Sequence, residues 1–491
     1  MTMKENRPRG SSWVRVVAGF IALAAGLLCE RAFSATNETA TSRRPNIIFI
    51  LADDLGYGDL GCYGQSRIKT PNIDKLASDG LRFTQCYAGS TVCAPSRCAL
   101  MTGLHTGHNR IRGNGARLAL APDDVTLAEL LQKTGYHTAL IGKWGLGDEG
   151  STGTPGKKGF DDFLGYLNQT HAHDYYTDHL FRHDAKSGFD GREELPENRA
   201  DKKALYIPDL FTMAATNFVR INKPDPLNGY RPFFLYLAYI IPHANDEEGK
   251  RSGNGMQVPS DAPYGNESWP QVEKNKAAMI TRMDADIGKL IELLQKLKID
   301  ENTVVFFASD NGPHKEGGVD PKFFQSSGKL RGIKRDLYEG GIRVPMIVRW
   351  PGKIKPGQVS DQVWAFWDFL PTAAEIAGAK TPEKIDGISM LPTLLGQTQT
   401  SQHAFLYWEF HERGFQQAAR MGDWKAVRPK ADEKLELYDL KADIGEKDNV
   451  AEKNPEAVAK FEAYFKTARS ESEQFPIRKE PQKKAKKKAA E

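Results

Sequence analysis

Hydrophobic runs and amphipathic segments alternate over most of the chain. Short, nearly continuous apolar runs predict buried strands of a parallel sheet, because such strands are covered on both faces. Apolar residues at spacings of three and four predict helices that bury one face. The predicted strands are 46–51, 138–141, 233–241, 303–308 and 344–349, and the predicted helices are 124–134, 205–222, 274–297 and 369–377. This alternation favours a doubly wound α/β sheet with helices on both faces.

The pattern changes near residue 395, where the predicted strands become short and closely spaced. Three such strands and one helix predict a small α+β domain with an antiparallel sheet at 400–470. This domain follows a large α/β domain that we place at 45–392. The short strands are expected at 404–410, 417–420 and 424–428, and the helix at 455–469.

Three long polar stretches interrupt the predicted large domain. They lie at roughly 145–200, 244–270 and 312–340. Loops of this length are uncommon in a compact domain and usually carry function. We therefore expect these stretches to contain loops that contribute to a functional site.

The N-terminus has the organisation of a targeting segment. Basic residues precede an apolar run at 16–28, and Ala32-Phe33-Ser34 then offers the small residues that a signal peptidase requires. The alternative is a membrane anchor, which the shortness of the apolar run disfavours. We predict a cleaved signal peptide at 1–34, export to the periplasm or the extracellular space, and no stable membrane insertion after cleavage.

The formal net charge of +4 comes from the two ends of the chain. Segment 1–34 has five basic residues against two acidic ones, and segment 479–491 has six against two, so the body carries about −3. This distribution excludes the basic footprint of a nucleic-acid-binding domain and predicts a solvated, disordered basic tail at 479–491. Outside the predicted signal peptide only four cysteines remain, which is no dense disulfide framework. Whether Cys62, Cys86 or Cys98 form a disulfide stays open.

Reactive side chains follow four of the predicted strands. In open α/β sheets, ligands bind beyond the carboxyl ends of the strands, so these side chains are expected to share one edge. The carboxylates and the amide among them are hard oxygen donors, which suit Ca²⁺ or Mg²⁺ and suit zinc poorly. The alternative is that they cap helices and begin turns. The residues are Asp53 and Asp54 after 46–51, Lys143 after 138–141, His243 after 233–241, and Asp310 and Asn311 after 303–308.

The run Cys93-Ala94-Pro95-Ser96-Arg97 carries the most specific chemistry of the chain. Pro95 and the apolar residues behind it predict that a helix begins at Cys93. A helix N-terminus favours anions, and Arg97 adds a positive charge one turn further on. The alternative is a buried structural cysteine, which is the commoner role.

This run resembles the modification motif of the formylglycine-dependent (type I) sulfatases, the arylsulfatase-like family of the alkaline phosphatase superfamily. Other segments agree with that family in order and spacing. The resemblance implies a large mixed, mostly parallel sheet sandwiched by helices, as in alkaline phosphatase, with a smaller C-terminal α+β domain. The agreeing segments are 45–46, 53–56, 102–103, 142–144, 242–243, 309–312, Lys334 and 339–345.

The resemblance also implies roles for individual residues. A maturation enzyme would oxidise Cys93 to formylglycine, whose hydrate is the nucleophile, and Ca²⁺, in preference to Mg²⁺, would lie beside it. Arg97 would stabilise the hydrated aldehyde, and His243 would protonate or orient the leaving oxygen. Positive charge around the sulfuryl oxygens is what such a reaction requires. The implied metal ligands are Asp53, Asp54, Cys93, Asp310 and Asn311, and the implied sulfate-binding residues are Lys143 and Lys334.

In the implied reaction, one hydroxyl of the hydrate attacks sulfur, and the other then loses its proton so that sulfate leaves and the aldehyde is regenerated. Many members of the family have a histidine after the Lys-Trp pair to assist that proton loss, but here the residue is Gly145. Which group replaces it is open. His171 and His173, in a nearby polar stretch, are candidates for the base or for substrate contacts, although ordinary exposed histidines are the alternative.

These observations predict an exported, calcium-dependent sulfuric ester hydrolase. Export and the long polar stretches favour a sulfated carbohydrate as its substrate. Two alternatives remain: a phosphoester or phosphonate hydrolase of the same superfamily, and a non-catalytic binder of sulfated glycans.

Overall fold

The computed structural model describes residues 44–115 and 117–477. The predicted signal peptide at 1–34 and the predicted basic tail at 479–491 lie outside the described residues. From Pro45 onward the described residues belong to one compact unit. In this part of the chain no helix is both long enough and apolar enough to cross a membrane.

The strands and helices are numbered here in chain order. The strands are β1 (Asn46–Ala52), β2 (Leu81–Tyr87), β3 (His137–Lys143), β4 (Asp162–Tyr166), β5 (His179–Asp184), β6 (Phe189–Glu194), β7 (Phe233–Ala238), β8 (Thr303–Ser309), β9 (Arg343–Arg349), β10 (Gln358–Ser360), β11 (Trp364–Ala365), β12 (Leu406–Phe410), β13 (Gln416–Met421), β14 (Trp424–Arg428) and β15 (Glu436–Asp439). The helices are α1 (Pro71–Ser78), α2 (Cys93–Thr102), α3 (Leu127–Lys133), α4 (Ile207–Asn222), α5 (Asp246–Ser252), α6 (Gln271–Lys296), α7 (Glu339–Ile342), α8 (Phe369–Ala377), α9 (Leu391–Leu394) and α10 (Pro455–Phe465).

An 11-stranded sheet forms the centre of the molecule, in the order β10-β2-β9-β8-β1-β7-β3-β4-β5-β6, with β11 also paired to β2. Its central strands β8, β1, β7, β3 and β4 pair in parallel. β9 and β5 run against their neighbours. The predicted mixed, mostly parallel sheet is confirmed.

One hydrophobic core lies on each face of this sheet. Successive side chains of a strand point to opposite faces. Ile48 and Ile50 of β1 therefore join the core beneath α1, α4 and α6, whereas Phe49 joins the core beneath α2, α3 and α8. The ring of Phe49 lies 4.4 Å from that of Phe369 in α8. Helices thus cover both faces, as the alternating pattern predicts.

A capping box sets the N-terminus of α3. The predicted helix 124–134 begins only at Leu127, because Thr126 caps the N-terminus. Its hydroxyl accepts a hydrogen bond from the backbone N–H of Glu129, whose carboxylate accepts one from the backbone N–H of Thr126. Such a reciprocal capping box satisfies two amide groups that the helix leaves unpaired.

The smaller C-terminal α+β part is also confirmed. Strands β12 to β15 form an antiparallel sheet, and α10 packs on one face of it through Phe461 and Phe465. The other face packs against the large sheet through Trp408, whose indole N–H donates to the carbonyl of Ala88 at 2.9 Å. This contact joins the small sheet to the segment that precedes α2.

The polar stretch 145–200, which the sequence suggested to be loop, contains the strands β4, β5 and β6. β4 extends the parallel sheet beside β3, and β5 and β6 form an antiparallel edge. Exposed and partly buried residues alternate along β6, so this edge strand carries little of the hydrophobic signal that reveals a central strand. The hydrophobic pattern also does not predict α1 or β2, and the stretch 244–270 contains α5.

Candidate active site

The carboxyl ends of β8, β1, β7 and β3 lie side by side. Register pairs Ala52 of β1 with Ser309 of β8, and pairs Ala238 of β7 with both Leu51 of β1 and Gly142 of β3. The residues that follow these strands therefore meet at one edge. The backbone N–H of Asp54, a residue with φ of 66°, donates to Asp310 Oδ1 at 3.1 Å and so ties two strand ends together.

Cys93 is the first residue of α2, and it is buried. Its Sγ donates to Asp53 Oδ1 at 3.3 Å. Burial, together with the neighbouring carboxylate of Asp53, raises the pKa of the Cys93 thiol well above its ordinary value. An unmodified thiol here would stay protonated at neutral pH, so it would be a poor nucleophile.

Three cationic side chains surround this cysteine. Lys143 Nζ donates to Asp53 Oδ2 at 2.6 Å. Arg97 donates to Asp310 Oδ2 through Nη2 at 2.8 Å and to the carbonyl of Lys143 through Nη1 at 2.7 Å. Lys334 Nζ donates to Asp54 Oδ2 at 2.8 Å. All of these groups are buried, which makes the site strongly polar inside the protein.

The cations keep the buried carboxylates of Asp53 and Asp54 ionised. Burial by itself raises the pKa of Asp53, but the positive charges around it, Lys143 first and then Arg97 and Lys334, outweigh burial and hold the pKa well below its ordinary value. Asp54 shows the same balance through Lys334. Burial next to Asp53 instead raises the pKa of Asp310. A further positive charge near Asp310 would therefore stabilise its ionised form.

These residues fit a hard divalent cation. Ligand atoms of Asp53, Asp54, Cys93 and His243 all lie within 4.8 Å of one another. Asn311 Nδ2 donates to Asp54 Oδ1 at 2.7 Å, but the buried Asn311 Oδ1 has no hydrogen-bond partner among the described residues. A buried, unpaired oxygen beside ionised carboxylates suits Ca²⁺ or Mg²⁺. The structure therefore contains a possible metal site at the predicted strand ends.

His243 lies between Lys334 and the backbone. Its Nδ1 is 2.6 Å from the carbonyl of Ala244, so Nδ1 carries a proton and donates it. Its Nε2 lies 3.1 Å from Lys334 Nζ and accepts from that ammonium group. Burial and the charge of Lys334 lower the pKa of His243 well below its ordinary value, which keeps the ring neutral.

A cleft of about 470 Å³ opens over this cluster. Cys93, His243 and Lys334 lie on its wall, as does His173, whose ring stacks on that of His243 at 4.7 Å. His171 is not among the described residues that line this cleft. Its Nε2 instead lies 2.7 Å from Thr177 Oγ1. Of the two predicted candidate histidines, only His173 faces the cleft.

Several cleft residues are absent from the sequence prediction. Arg335 lines the cleft next to Lys334 and pairs with Glu316 and Glu412. In the sequence, the position of Arg335 directly after Lys334 is the signal that could have identified it as a cleft residue. Gln169 also lines the cleft, and no local pattern distinguishes it from the other polar residues around it.

Comparisons with known proteins agree with this geometry. A family model described as sulfatase matches residues 45–379, and a second, described as N-sulphoglucosamine sulphohydrolase, C-terminal, matches residues 333–470. Human arylsulfatase A is 34% identical over 433 residues, covering 83% of this chain and 76% of that protein. An N-acetylgalactosamine-6-O-sulfatase of Bacteroides thetaiotaomicron is 30% identical over 507 residues, covering 87% and 94%.

Solved structures show the same similarity. The crystal structure of Ps i-CgsB in complex with k-i-k-neocarrahexaose superimposes with a TM-score of 0.72 at 30% identity, covering 87% of this chain and 92% of that one. The PsFucS1 sulfatase from a Pseudoalteromonas species gives 0.70 at 25% identity, covering 91% and 94%. The fold and the site therefore define a sulfuric ester hydrolase with the alkaline-phosphatase-like fold. The chain belongs to the sulfatase family.

Proposed function

We propose that this protein is an exported, calcium-dependent sulfatase that hydrolyses a sulfate ester on a sulfated carbohydrate. The observation that carries the proposal is the position of Cys93, buried at the start of α2 against Asp53 and beside Lys143, Arg97 and Lys334. Its raised thiol pKa favours a modified residue as the nucleophile. Hydrated formylglycine at position 93 would supply that nucleophile, and Ca²⁺ would supply positive charge for the nucleophile and for a sulfate oxygen.

The residues that would hold Ca²⁺ are Asp53, Asp54, Asp310 and Asn311, with the modified Cys93 beside them. Lys143 and Lys334 would bind sulfate oxygens through their ammonium groups, since Lys334 lines the cleft and Lys143 donates to Asp53 beside Cys93. Arg97 would hold Asp310 and stabilise the hydrated residue at position 93. Buried donors of this kind stabilise charge that develops in the transition state.

The pair Lys334–His243 would serve the leaving oxygen. His243 is neutral and accepts from the Lys334 ammonium, so His243 would orient the Lys334 ammonium group toward the leaving oxygen. His173, stacked on His243 at the cleft wall, is our candidate for the base that a histidine at position 145 provides elsewhere in the family.

Two observations support a carbohydrate as substrate. Polar side chains suited to sugar hydroxyls line the cleft, among them Asn114, Asn168 and Asp246. The similar proteins include an N-acetylgalactosamine-6-O-sulfatase and a structure in complex with k-i-k-neocarrahexaose. The proposed export follows from segment 1–34, and N-terminal sequencing of the secreted protein would test it by showing whether the segment has been removed.

A panel of sulfated saccharides, with sulfate release as the readout, tests the activity. We expect release by the wild-type protein co-expressed with a formylglycine-generating enzyme, and none by Cys93→Ala. Cys98→Ala, which alters another buried cysteine of α2, is the matched control and should retain activity. Mass spectrometry of the peptide containing Cys93 should show the aldehyde. Full activity of Cys93→Ala would overturn the proposal, and faster cleavage of a matched aryl phosphate than of the aryl sulfate would favour a phosphoester hydrolase.

A further inference from the structure

Gly145 leaves a space in the cleft that another side chain fills. The residue follows Trp144 directly after β3, with φ of 82°, and its N–H donates to the carbonyl of Leu167 at 2.9 Å. A Cβ at position 145 would lie only 2.1 Å from Gln169 Nε2. Any side chain at position 145 would therefore displace the Gln169 amide, so glycine at 145 and glutamine at 169 are sterically coupled.

Within residues 44–115 and 117–477, neither polar atom of the Gln169 side-chain amide has a hydrogen-bond partner. Both atoms, Nε2 and Oε1, are buried. Buried amides are almost always paired, because an unpaired donor or acceptor loses its hydration without compensation. Gln169 lines the same cleft as Cys93, His243 and Lys334. Its unpaired atoms therefore indicate that a bound molecule completes their hydrogen bonds.

We propose that Gln169 is a substrate-binding residue, whose Nε2 donates to a sulfate oxygen of the bound ester while its Oε1 accepts from a neighbouring sugar hydroxyl. This inference rests on the proposed function. Donation to an anion is favoured because the cationic Lys143 and Lys334, bound to the carboxylates beside Cys93, already make the site attractive to a sulfate group. An amide does not take up a proton, so Gln169 binds the substrate and does not act as the base.

The test compares Gln169→Leu with the wild type. Leucine has a similar size but cannot hydrogen-bond, so it replaces an unpaired amide by an apolar group. We expect the affinity for inorganic sulfate, measured by calorimetry on the folded full chain, to fall about 10–100-fold, as for a lost hydrogen bond to a charged group. We expect Tm to stay unchanged or to rise, because no hydrogen bond of the folded protein is broken.

Gln132→Leu is the matched control, because the amide of Gln132 is paired with Asp161 at 2.7 Å. It should lower Tm and leave sulfate affinity unchanged. Equal sulfate affinity of Gln169→Leu and wild type, or binding to neither, would overturn the assignment, as would a lower Tm for Gln169→Leu without weaker binding. Failure of the proposed function would show differently, as a wild-type protein that binds sulfate but releases none from sulfated saccharides.

The steric coupling between positions 145 and 169 provides a second test. Gly145→Ala should weaken sulfate binding in the wild-type background because it displaces the amide. In the Gln169→Leu background the amide is already absent, so the same substitution should weaken sulfate binding much less. Equal loss in both backgrounds would contradict a role of the amide in binding.

Discussion

The charges at the carboxyl ends of β1, β3, β7 and β8 face a cleft, whereas a second buried set is enclosed between the two sheets. The second set, here called the inter-sheet cluster, centres on Lys425 of β14. Lys425 Nζ lies 2.9 Å from Glu339 Oε1 and 3.2 Å from Glu446 Oε1. The remaining members of the cluster are Tyr87, Arg343 and Arg420.

The two sets of buried charges differ in which of their polar atoms have hydrogen-bond partners. In the inter-sheet cluster, Glu339 also accepts from Tyr87 and Arg343, so protein groups surround its carboxylate. In the active site, Asn311 Oδ1 and both amide atoms of Gln169 have no hydrogen-bond partner among the described residues. The inter-sheet cluster is enclosed by protein groups and joins two layers, although Glu446 Oε1 has only its ion pair with Lys425 and no hydrogen bond among the described residues. Unpaired atoms beside a cleft indicate binding of an ion or a substrate.

Removal of the central cation should damage the inter-sheet cluster most. Lys425→Met would leave Glu339 and Glu446 buried without their shared partner, and we expect a loss of about 3–5 kcal/mol in the free energy of unfolding. Urea denaturation measures it, and kcat/KM of the folded protein should not change. Lys75→Met removes an exposed pair with Asp79 and should cost less than about 1 kcal/mol. A similar small loss for Lys425→Met would mean that the cluster does not stabilise the contact between the sheets.

Removal of a cation from the active site should reduce activity more than stability. Lys334→Met removes the partner of Asp54 and a proposed sulfate-binding group, so we expect kcat/KM to fall about 10²–10³-fold. The loss of stability should be smaller than for Lys425→Met, because a bound cation can compensate the charge of Asp54. The exposed Lys315 provides the control, and Lys315→Met should leave both values unchanged. Steady-state kinetics showing wild-type activity for Lys334→Met would remove Lys334 from the proposed site.

Removal of the divalent cation should affect the active site and leave the inter-sheet cluster unchanged. Chelation with EGTA should lower Tm, since a ligand at about 100 times its Kd stabilises the folded state by about 2.7 kcal/mol. Added Ca²⁺ should restore Tm and activity more effectively than Mg²⁺. Asp310→Asn should make Tm insensitive to EGTA, whereas Lys425→Met should keep that sensitivity. A Tm that does not respond to EGTA in the wild type would contradict the metal site.

The smallest effect concerns the pH dependence of the inter-sheet cluster. Burial raises the pKa of Glu446 to about 7, above its ordinary value of 4.5. The folded protein keeps a proton that the unfolded chain releases, so the contribution of Glu446 to stability falls as pH rises from about 4.5 to about 7. Glu446→Gln stays neutral, and its Tm should exceed that of the wild type by a few degrees at pH 8 and match it near pH 4.5. Thermal melts across this range would contradict the assignment if the variant were less stable at pH 8.

Much of the active site could be predicted because strand ends converge. Asp53, Lys143 and Asp310 follow apolar runs that are recognisable from sequence, and parallel pairing brings the ends of such strands to one edge. Lys334 follows no strand, and its bond to Asp54 spans 280 residues. Lys334 was assigned to the site from the resemblance to the sulfatase family, because no local sequence pattern reveals a contact over such a distance.

Other features could not be predicted because their signals are weak in a single sequence. The edge strands β5 and β6 bury too little to show a clear apolar pattern. The members of the inter-sheet cluster, such as Glu339 and Lys425, are charged residues of types that are usually exposed. Their burial depends on the packing of one sheet on the other.

The sequence by itself determined the class of sheet, the strands that end in carboxylate and cationic residues, and the cysteine motif of the family, because each is local or follows a period of the chain. Only the tertiary structure decided that His173 faces the cleft while His171 does not, and that Gln169 occupies the space above Gly145. Those choices depend on where separate loops meet, and the positions of such loops are set by contacts between residues far apart in sequence.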